Sequence, residues 1–325
     1  MPAGSRLSIT APPGFDLART VCSYGYFLLA PNAWDPDAQA MSRVFADSAG
    51  RSFTVVVRET RPARVRPQAP GRLSITCSKN LDRDEASAIK ASLRRMLRFD
   101  EDPVGWWKAC PEARRRRFGR MFRSASFFED LVKTITGQNV SWPNTIRMNA
   151  LLCKHVGRGA FPSSKQVMRF GADRLRAKCK VGYRAGRIAE AARRVHTGEL
   201  DPGWFESAER TSTEVYEALL ALPGVGPYGA ANVATLLGHY DRIPIDTETY
   251  RHMVQHHGWL RPGQPGAPPK AELDAQIDAY YARWAPFQFK AYWFELWRDY
   301  ERRRGPAWRW SPRTTGPTFT ASQLG

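Results

Sequence analysis

One segment limits what this chain can fold into more than any other. It is Leu222-Pro-Gly-Val-Gly-Pro-Tyr228, followed eighteen residues beyond Tyr228 by Asp246 within Ile-Pro-Ile-Asp-Thr. The first part reads as a tight glycine turn that opens a helix. Gly224 and Gly226 permit backbone angles that other residues avoid, and they let a ligand approach the main chain closely. The first amides of the following helix lack intrahelical acceptors and point at an anion. Asp246 then returns one carboxylate toward the same face after a second helix end. A phosphate-gripping hairpin beside a lone carboxylate points to chemistry on a nucleic-acid backbone, or on a base attached to it.

Bulk properties agree with that direction. The 325 residues suffice for one large or two modest domains. The 49 Lys and Arg against 31 Asp and Glu leave a net charge of +18, as expected of a protein that meets polyanions. Charge alone does not separate DNA from RNA, from an anionic membrane, or from an Arg-rich soluble protein. No apolar run approaches the ~20 residues needed to cross a bilayer, and the first ten residues lack the apolar core of a signal peptide. Cys22, Cys77, Cys110, Cys153 and Cys179 are scattered and odd in number, which suits reduced thiols better than a disulfide framework. A cytoplasmic protein without membrane association is expected, nucleoid-associated in a bacterium.

Along the chain, Arg6–Thr10, Tyr26–Leu29, Phe53–Val57 and Leu73–Cys77 are β-rich and bounded by Pro, Gly and Asn. Arg61–Gly71 reads as a mobile basic connection. Asp84 or a neighbour caps a helix through Ile89, Leu93 and Leu97. From about residue 100 onward the pattern is helical. The tail after Arg304 has no periodicity and reads as irregular or disordered. These readings give an α+β chain: an antiparallel β domain over 1–100, a mainly α-helical region over 101–304 and an irregular tail over 305–325.

The hairpin with its spaced Asp resembles the helix-hairpin-helix DNA glycosylases, the superfamily of endonuclease III, 8-oxoguanine glycosylase and 3-methyladenine glycosylase II. The resemblance is specific over about residues 118 to 300. The 8-oxoguanine and 3-methyladenine branches also place an antiparallel β domain before the helical body. Asp16–Gly25 with Pro31-Asn-Ala-Trp34 is similar to its start. Endonuclease III carries four cysteines after the catalytic Asp for an iron–sulfur cluster. No cysteine follows Cys179, so the resemblance implies a branch without that cluster.

Asp246 is the implied catalytic residue. Breaking a base–sugar bond builds positive charge on the sugar, which a nearby carboxylate stabilises while orienting a water. Asp246 also precedes the helical Thr247–Met253 and can cap it; Glu248 is a first-turn dipole partner. Tyr228 stands where strand-cleaving relatives carry a Schiff-base lysine, which implies a monofunctional enzyme without lyase activity. An aromatic there can stack on an everted base, or simply fill the core. Another lysine, Lys180 or Lys290, could supply lyase chemistry. The amides of Gly224, Gly226 and Tyr228 would hold a phosphate, and the carbonyls of Leu220, Leu222 and Val225 match those that hold a monovalent cation (potassium or sodium) in relatives.

Gln138 and Asn139, in Gly-Gln-Asn-Val-Ser-Trp142, match the segment that fills the hole left by a flipped nucleotide; ordinary capping is the alternative. Lys180-Val-Gly-Tyr-Arg-Ala185 resembles a second wedge, with Tyr183 intercalating and Arg184 on a phosphate. A tyrosine after a loop glycine also serves plain packing. In the aromatic-dense Trp284–Trp297, Tyr292 and Leu296 stand where the 8-oxoguanine branch has a Gln and a Phe. A ring-rich pocket suits cationic alkylated bases. Arg114–Arg117 with Arg120 and Arg123 reads as a DNA-facing surface. His252, His256 and His257 lack a Glu or Cys at useful spacing and read as surface or core histidines.

These residues predict base excision from double-stranded DNA by a monomer that passes its abasic product to a separate endonuclease. The best substrate is an alkylated purine. Oxidised guanine, supported by Gly182-Tyr-Arg-Ala and the β domain, another modified base, and a non-catalytic lesion binder are the alternatives.

Overall fold

The computed structural model describes residues 4–60 and 71–320. The basic connection Arg61–Gly71 lies, apart from Gly71, outside the described residues.

Five strands, β1 (Arg6–Thr10), β2 (Asn32–Asp35), β3 (Ala40–Ala46), β4 (Ser52–Thr60) and β5 (Arg72–Cys77), form one antiparallel sheet in the order β1-β5-β4-β3-β2. Register follows the two-residue period of a strand. Phe53, Val55 and Val57 of β4 point to one side with Leu73, Ile75 and Cys77 of β5, and all are buried. Tyr26–Leu29, read from sequence as a strand, lies instead at a 3-10 turn over Gly25–Leu28, with Tyr26 and Phe27 driven into the core. β2 and β3 were not legible, because Trp34 and Met41 are short anchors in a mixed polar context.

The longer helices are α1 (Arg83–Met96), α2 (Phe127–Gly137), α3 (Trp142–His155), α4 (Arg184–Thr197), α5 (Ser212–Leu220), α6 (Pro227–Leu237), α7 (Thr247–His257), α8 (Lys270–Tyr281) and α9 (Gln288–Arg304). Asp82 rather than Asp84 caps α1, in a reciprocal capping box with Glu85. Ser126 caps α2 and Thr211 caps α5. The chain is therefore α+β, a sheet followed by a helical body.

Two hydrophobic clusters organise the molecule. One is wholly helical and packs α2, α4, α5 and α6 around Leu131, Ile188, Leu219 and Val233. The other runs from the sheet through Leu93 and Trp106 into Phe289, Trp297 and Tyr300 of α9. The sheet thus shares its core with the far end of the chain. The tail corrects its sequence reading up to residue 320. A 3-10 turn at Ala307–Arg309 and a helical turn at Thr315–Thr318 hold Trp310 and Phe319 at 2% and 3% exposure. Trp310 packs 5.4 Å from Trp297, and Trp142 Nε1 donates to Gly316 O at 3.1 Å. Burial of large rings orders this segment without any local periodicity.

Candidate active site

The hairpin joins α5 to α6. Val225 is buried in the helical cluster and its N–H donates to Leu222 O at 3.0 Å, which closes the turn. Gly224 has φ 79, in the left-handed region that favours glycine, and a Cβ there would collide with the Arg187 side chain. Gly226 corrects the sequence reading. Its φ of −93 is open to any residue, and a Cβ would meet nothing within 4 Å. It stands at the N-cap of α6, with Pro227 at the first helical position. The amides of Gly224, Gly226 and Tyr228 have no intramolecular acceptor among the described residues. They stand unpaired at the N-terminal end of α6, the kind of helix end that suits an anion. Of the three carbonyls matched to a cation, that of Leu222 already accepts the Val225 N–H.

Asp246 caps α7. Its Oδ1 accepts from the amides of Glu248 at 2.9 Å and Thr249 at 3.0 Å, and from the Thr249 hydroxyl at 3.2 Å. Oδ2 accepts no hydrogen bond among the described residues. Capping thus engages one carboxylate oxygen and leaves the other unengaged. Burial pushes the carboxyl up to about 6, partly opposed by the Thr249 amide and reinforced by the Glu248 charge. It remains mainly ionised at neutral pH.

The free side of Asp246 faces a cavity of about 1140 Å³, large enough for a nucleotide base with its sugar. Tyr228, Tyr292 and Leu296 line it, with Trp293, Phe289 and Trp142. Tyr228 is half-buried, and burial and the Asp246 charge hold its phenol well above the usual value. Tyr292 is 2% exposed and bonds to Thr249. One wall carries polar groups that sequence reasoning missed. Tyr24 Oη donates to Asn232 Oδ1 at 2.6 Å, Asn232 Nδ2 donates to Thr134 Oγ1 at 2.9 Å, and Tyr26 Oη lies 3.1 Å from the same hydroxyl. Asn232 stands with Thr235 as one of two polar residues in the otherwise apolar run Ala230–Leu237.

Beside the cavity, three loops meet. Asn139 is exposed with φ 50, a left-handed conformation that Asn tolerates. Gln138 is buried, its amide turned against Gly229, where a Cβ would overlap it. Tyr183 is 53% exposed, an unusual state for a large ring. Arg184 and Arg187 stack on it at 4.5 and 5.1 Å. Arg184 corrects its sequence reading. It is 6% exposed and its guanidinium donates to the carbonyls of Gln138 and Asn139, so it ties the Gln138–Asn139 loop to the Tyr183 loop rather than facing a phosphate. Arg187, missed in the sequence, lies between Tyr183 and Gly224 and joins the wedge to the hairpin.

No protein-family model and no curated protein matches the sequence. Solved structures do match. The 3-methyladenine DNA glycosylase from Archaeoglobus fulgidus superposes with a TM-score of 0.65 at 19% identity, over 91% of this chain and 98% of that one. This chain shares the fold of that DNA glycosylase. The Clostridium acetobutylicum 8-oxoguanine glycosylase/lyase in its apo form gives a TM-score of 0.60 at 17% identity, over 90% of this chain and 96% of that one. The same Clostridium enzyme in complex with double-stranded DNA containing cytosine opposite 8-oxoguanine gives 0.57 at 16% identity, over 92% and 99%.

Within this glycosylase fold, several charged residues serve packing. Arg120 donates to the carbonyls of Arg98 and Glu101, and Arg123, 5% exposed, donates to Leu236 O at 3.1 Å and Arg95 O at 3.0 Å. Arg123 is therefore not part of a DNA-facing surface, whereas Arg120 is half-buried. Of the lysines weighed for lyase chemistry, Lys290 is sealed against Glu101 and the Tyr240 ring, and neither it nor Lys180 lines the cavity. Lys133 does line it, 1% exposed and 2.8 Å from Glu129, which also holds Arg43 at 2.6 Å. On α7, His252 is buried, His256 exposed and His257 half-buried, within the surface-or-core reading. The fold brings Glu295 of α9 to His252 and His257, a third ligand-type residue that spacing along the chain did not offer. Among the described residues, no helix is long and apolar enough to cross a membrane.

Proposed function

We propose that this protein is a DNA glycosylase that removes a damaged or modified base from duplex DNA by everting the nucleotide. The observation that carries the reading is Asp246, with one free carboxylate oxygen and a raised pKa, facing a ring-lined cavity beside the unpaired amides of α6. The hairpin amides would grip a backbone phosphate. Asn139 and Tyr183 would enter the stack, and Gln138 would join them only by leaving its seat against Gly229. In the cavity, Tyr228 and Tyr292 would flank the base. Asp246 Oδ2 would stabilise positive charge at the sugar carbon as the base departs, and would accept a proton from the water that adds there.

The substrate class favoured is an alkylated purine. The lining includes the rings of Tyr228, Tyr292, Trp293, Phe289 and Trp142, and a cationic base gains from ring faces and from the carboxylate. The reading is monofunctional, because Tyr228 occupies the lysine position and the two lysines that line the cavity, Lys133 and Lys270, are paired with Glu129 and Asp274. The abasic product would pass to a separate endonuclease, and the chain would act as a cytoplasmic monomer. Oxidised guanine is the second reading, favoured by Gly182-Tyr-Arg-Ala185. A monovalent cation on the hairpin carbonyls would reinforce the phosphate grip.

The test is excision from end-labelled duplexes carrying one alkylated purine, 8-oxoguanine, uracil or a modified cytosine, for wild type and Asp246→Asn, with and without hot alkali. Alkali-dependent cleavage of the alkylated duplex, lost in the variant, is expected. Cleavage without alkali would overturn the monofunctional reading and direct attention to Lys133. Tight binding to every duplex with no excision would favour the non-catalytic binder.

A further inference from the structure

His252 lies on the buried side of α7 at 2% exposure, yet neither of its ring nitrogens has a hydrogen-bond partner. Nε2 of His257, one turn further on, is buried and equally unpartnered. Both Nε2 atoms approach the same oxygen of α9: Glu295 Oε2 lies 3.5 Å from that of His252 and 3.6 Å from that of His257. These separations are too long for good hydrogen bonds. All three atoms lie within 4.8 Å of one another.

We propose that His252, His257 and Glu295 bind one divalent transition metal of the zinc type, which staples α7 to α9. A tetrahedral ion with bonds of roughly 2.0–2.1 Å spaces its ligand atoms about 3.3–3.4 Å apart, so both nitrogen–oxygen distances already fit within a few tenths of an ångström. Two imidazoles and one carboxylate form a common zinc donor set, with a fourth position for water. Glu295 is pre-oriented, because Tyr281 Oη of α8 donates to the same Oε2 at 2.7 Å, and a carboxylate oxygen can accept that bond and still ligate. Among the described residues, the two imidazoles are its only ion-pair partners. A metal would supply the missing positive charge and occupy the unpaired nitrogens together. His256 is engaged elsewhere, 3.1 Å from Asp299.

The site lies outside the base cavity but is coupled to it. His252 stacks edge-on against Tyr292 at 5.9 Å, and α7 begins at Asp246. Its role is therefore structural: it fixes the helix that carries the carboxylate against the helix that carries a cavity wall. Other ties remain without it, Tyr300 to Glu248 and Arg251 to Asp299 among them, so the apoprotein should stay folded.

The experiment strips the full-length protein with a chelator and then titrates it with Zn²⁺ by calorimetry and with Co²⁺ by visible absorption. One equivalent of either ion is expected, with cobalt bands of a four-coordinate site and a rise in Tm on zinc addition. His257→Gln or Glu295→Gln should weaken binding at least about a hundredfold, and Tyr281→Phe by roughly ten- to a hundredfold. His256→Gln should bind as wild type. No stoichiometric uptake by the folded wild type would overturn the proposal, leaving a metal-free His–Glu cluster. So would uptake that is unchanged in His257→Gln, a variant at the helix end where folding is least at risk.

Discussion

Tyr292 Oη lies 3.0 Å from Thr249 Oγ1, and that hydroxyl reaches Asp246 Oδ1 at 3.2 Å. The Thr249 hydroxyl also accepts the Asp246 N–H at 3.1 Å. With both acceptor sites filled, its one proton points at the carboxylate. A wall of the cavity thus reaches the proposed catalytic oxygen pair through one buried hydroxyl. Removing a donor to a carboxylate raises its pKa. Thr249→Val should shift the acid limb of the excision profile upward by up to about one unit. Tyr292→Phe should shift it the same way by less, since it acts through Thr249. An unmoved limb in Thr249→Val would show that the chain does not tune Asp246.

The wild-type limb itself follows from burial. With Asp246 pushed up to about 6, excision under kcat/KM conditions should fall as pH drops through that value. Stability runs the other way. A carboxyl whose pKa is raised on folding holds its proton more tightly in the native state. Its cost is absent below the unfolded value of about 3.9 and complete above about 6. Asp246→Asn keeps a good cap, so it should abolish excision yet gain about 1–2 kcal/mol at pH 8, with little gain at pH 3.5. Paired urea titrations at the two pH values would check this, and a destabilised variant at pH 8 would refute it.

Glu129 has the opposite sign. Burial alone would raise its carboxyl, but Arg43 and Lys133 overrule it and hold it at about 2. Its contribution to stability is present above the unfolded value, about 4.3, and is lost as pH falls from there toward 2. Glu129→Gln leaves two buried cations facing a neutral amide, which should cost about 3–5 kcal/mol at pH 7. Denaturant midpoints for the two proteins should converge in acid. Parallel curves down to pH 2.5 would mean that the triad contributes nothing through charge.

Tyr183 separates binding from folding. Its exposed ring should tolerate Tyr183→Ala within about 0.5 kcal/mol of wild-type stability. Loss of a ring stacked on a base should weaken binding to lesion duplex by about 1–3 kcal/mol, roughly five- to a hundred-and-fiftyfold. Fluorescence anisotropy on an abasic-analogue duplex would read this. Equal affinity would reassign Tyr183 to a packing role for Arg184 and Arg187.

The hairpin glycines should behave differently. Gly224→Ala meets both a positive φ and the Arg187 side chain, and should cost at least about 1–2 kcal/mol. Gly226→Ala has open space and an ordinary φ, so only the cap changes, by less than about 1 kcal/mol. Its methyl group would stand beside the unpaired amides proposed to hold a phosphate, so its main effect should be on DNA affinity. Thermal melts and binding isotherms for the pair would distinguish the two glycines, and equal melting temperatures would contradict the argument.

What could be read from the chain was what local chemistry dictates. The turn at Gly224, the cap at Asp246, the capped α1 and the alternation of β4 all depend on residues a few positions apart, so their signals survive in linear order. The unions decided by packing did not. Arg184 looked like a phosphate ligand until burial turned it onto the carbonyls of Gln138 and Asn139. The tail looked irregular because Trp310 and Phe319 stack on each other across nine residues and pack on Trp297 of α9. Glu295 completes a cluster with two histidines that spacing had dismissed, since a ligand set is a matter of distance in space. Backbone preference and capping act over one turn, whereas burial, charge compensation and cavity shape arise only when segments remote in sequence share one core.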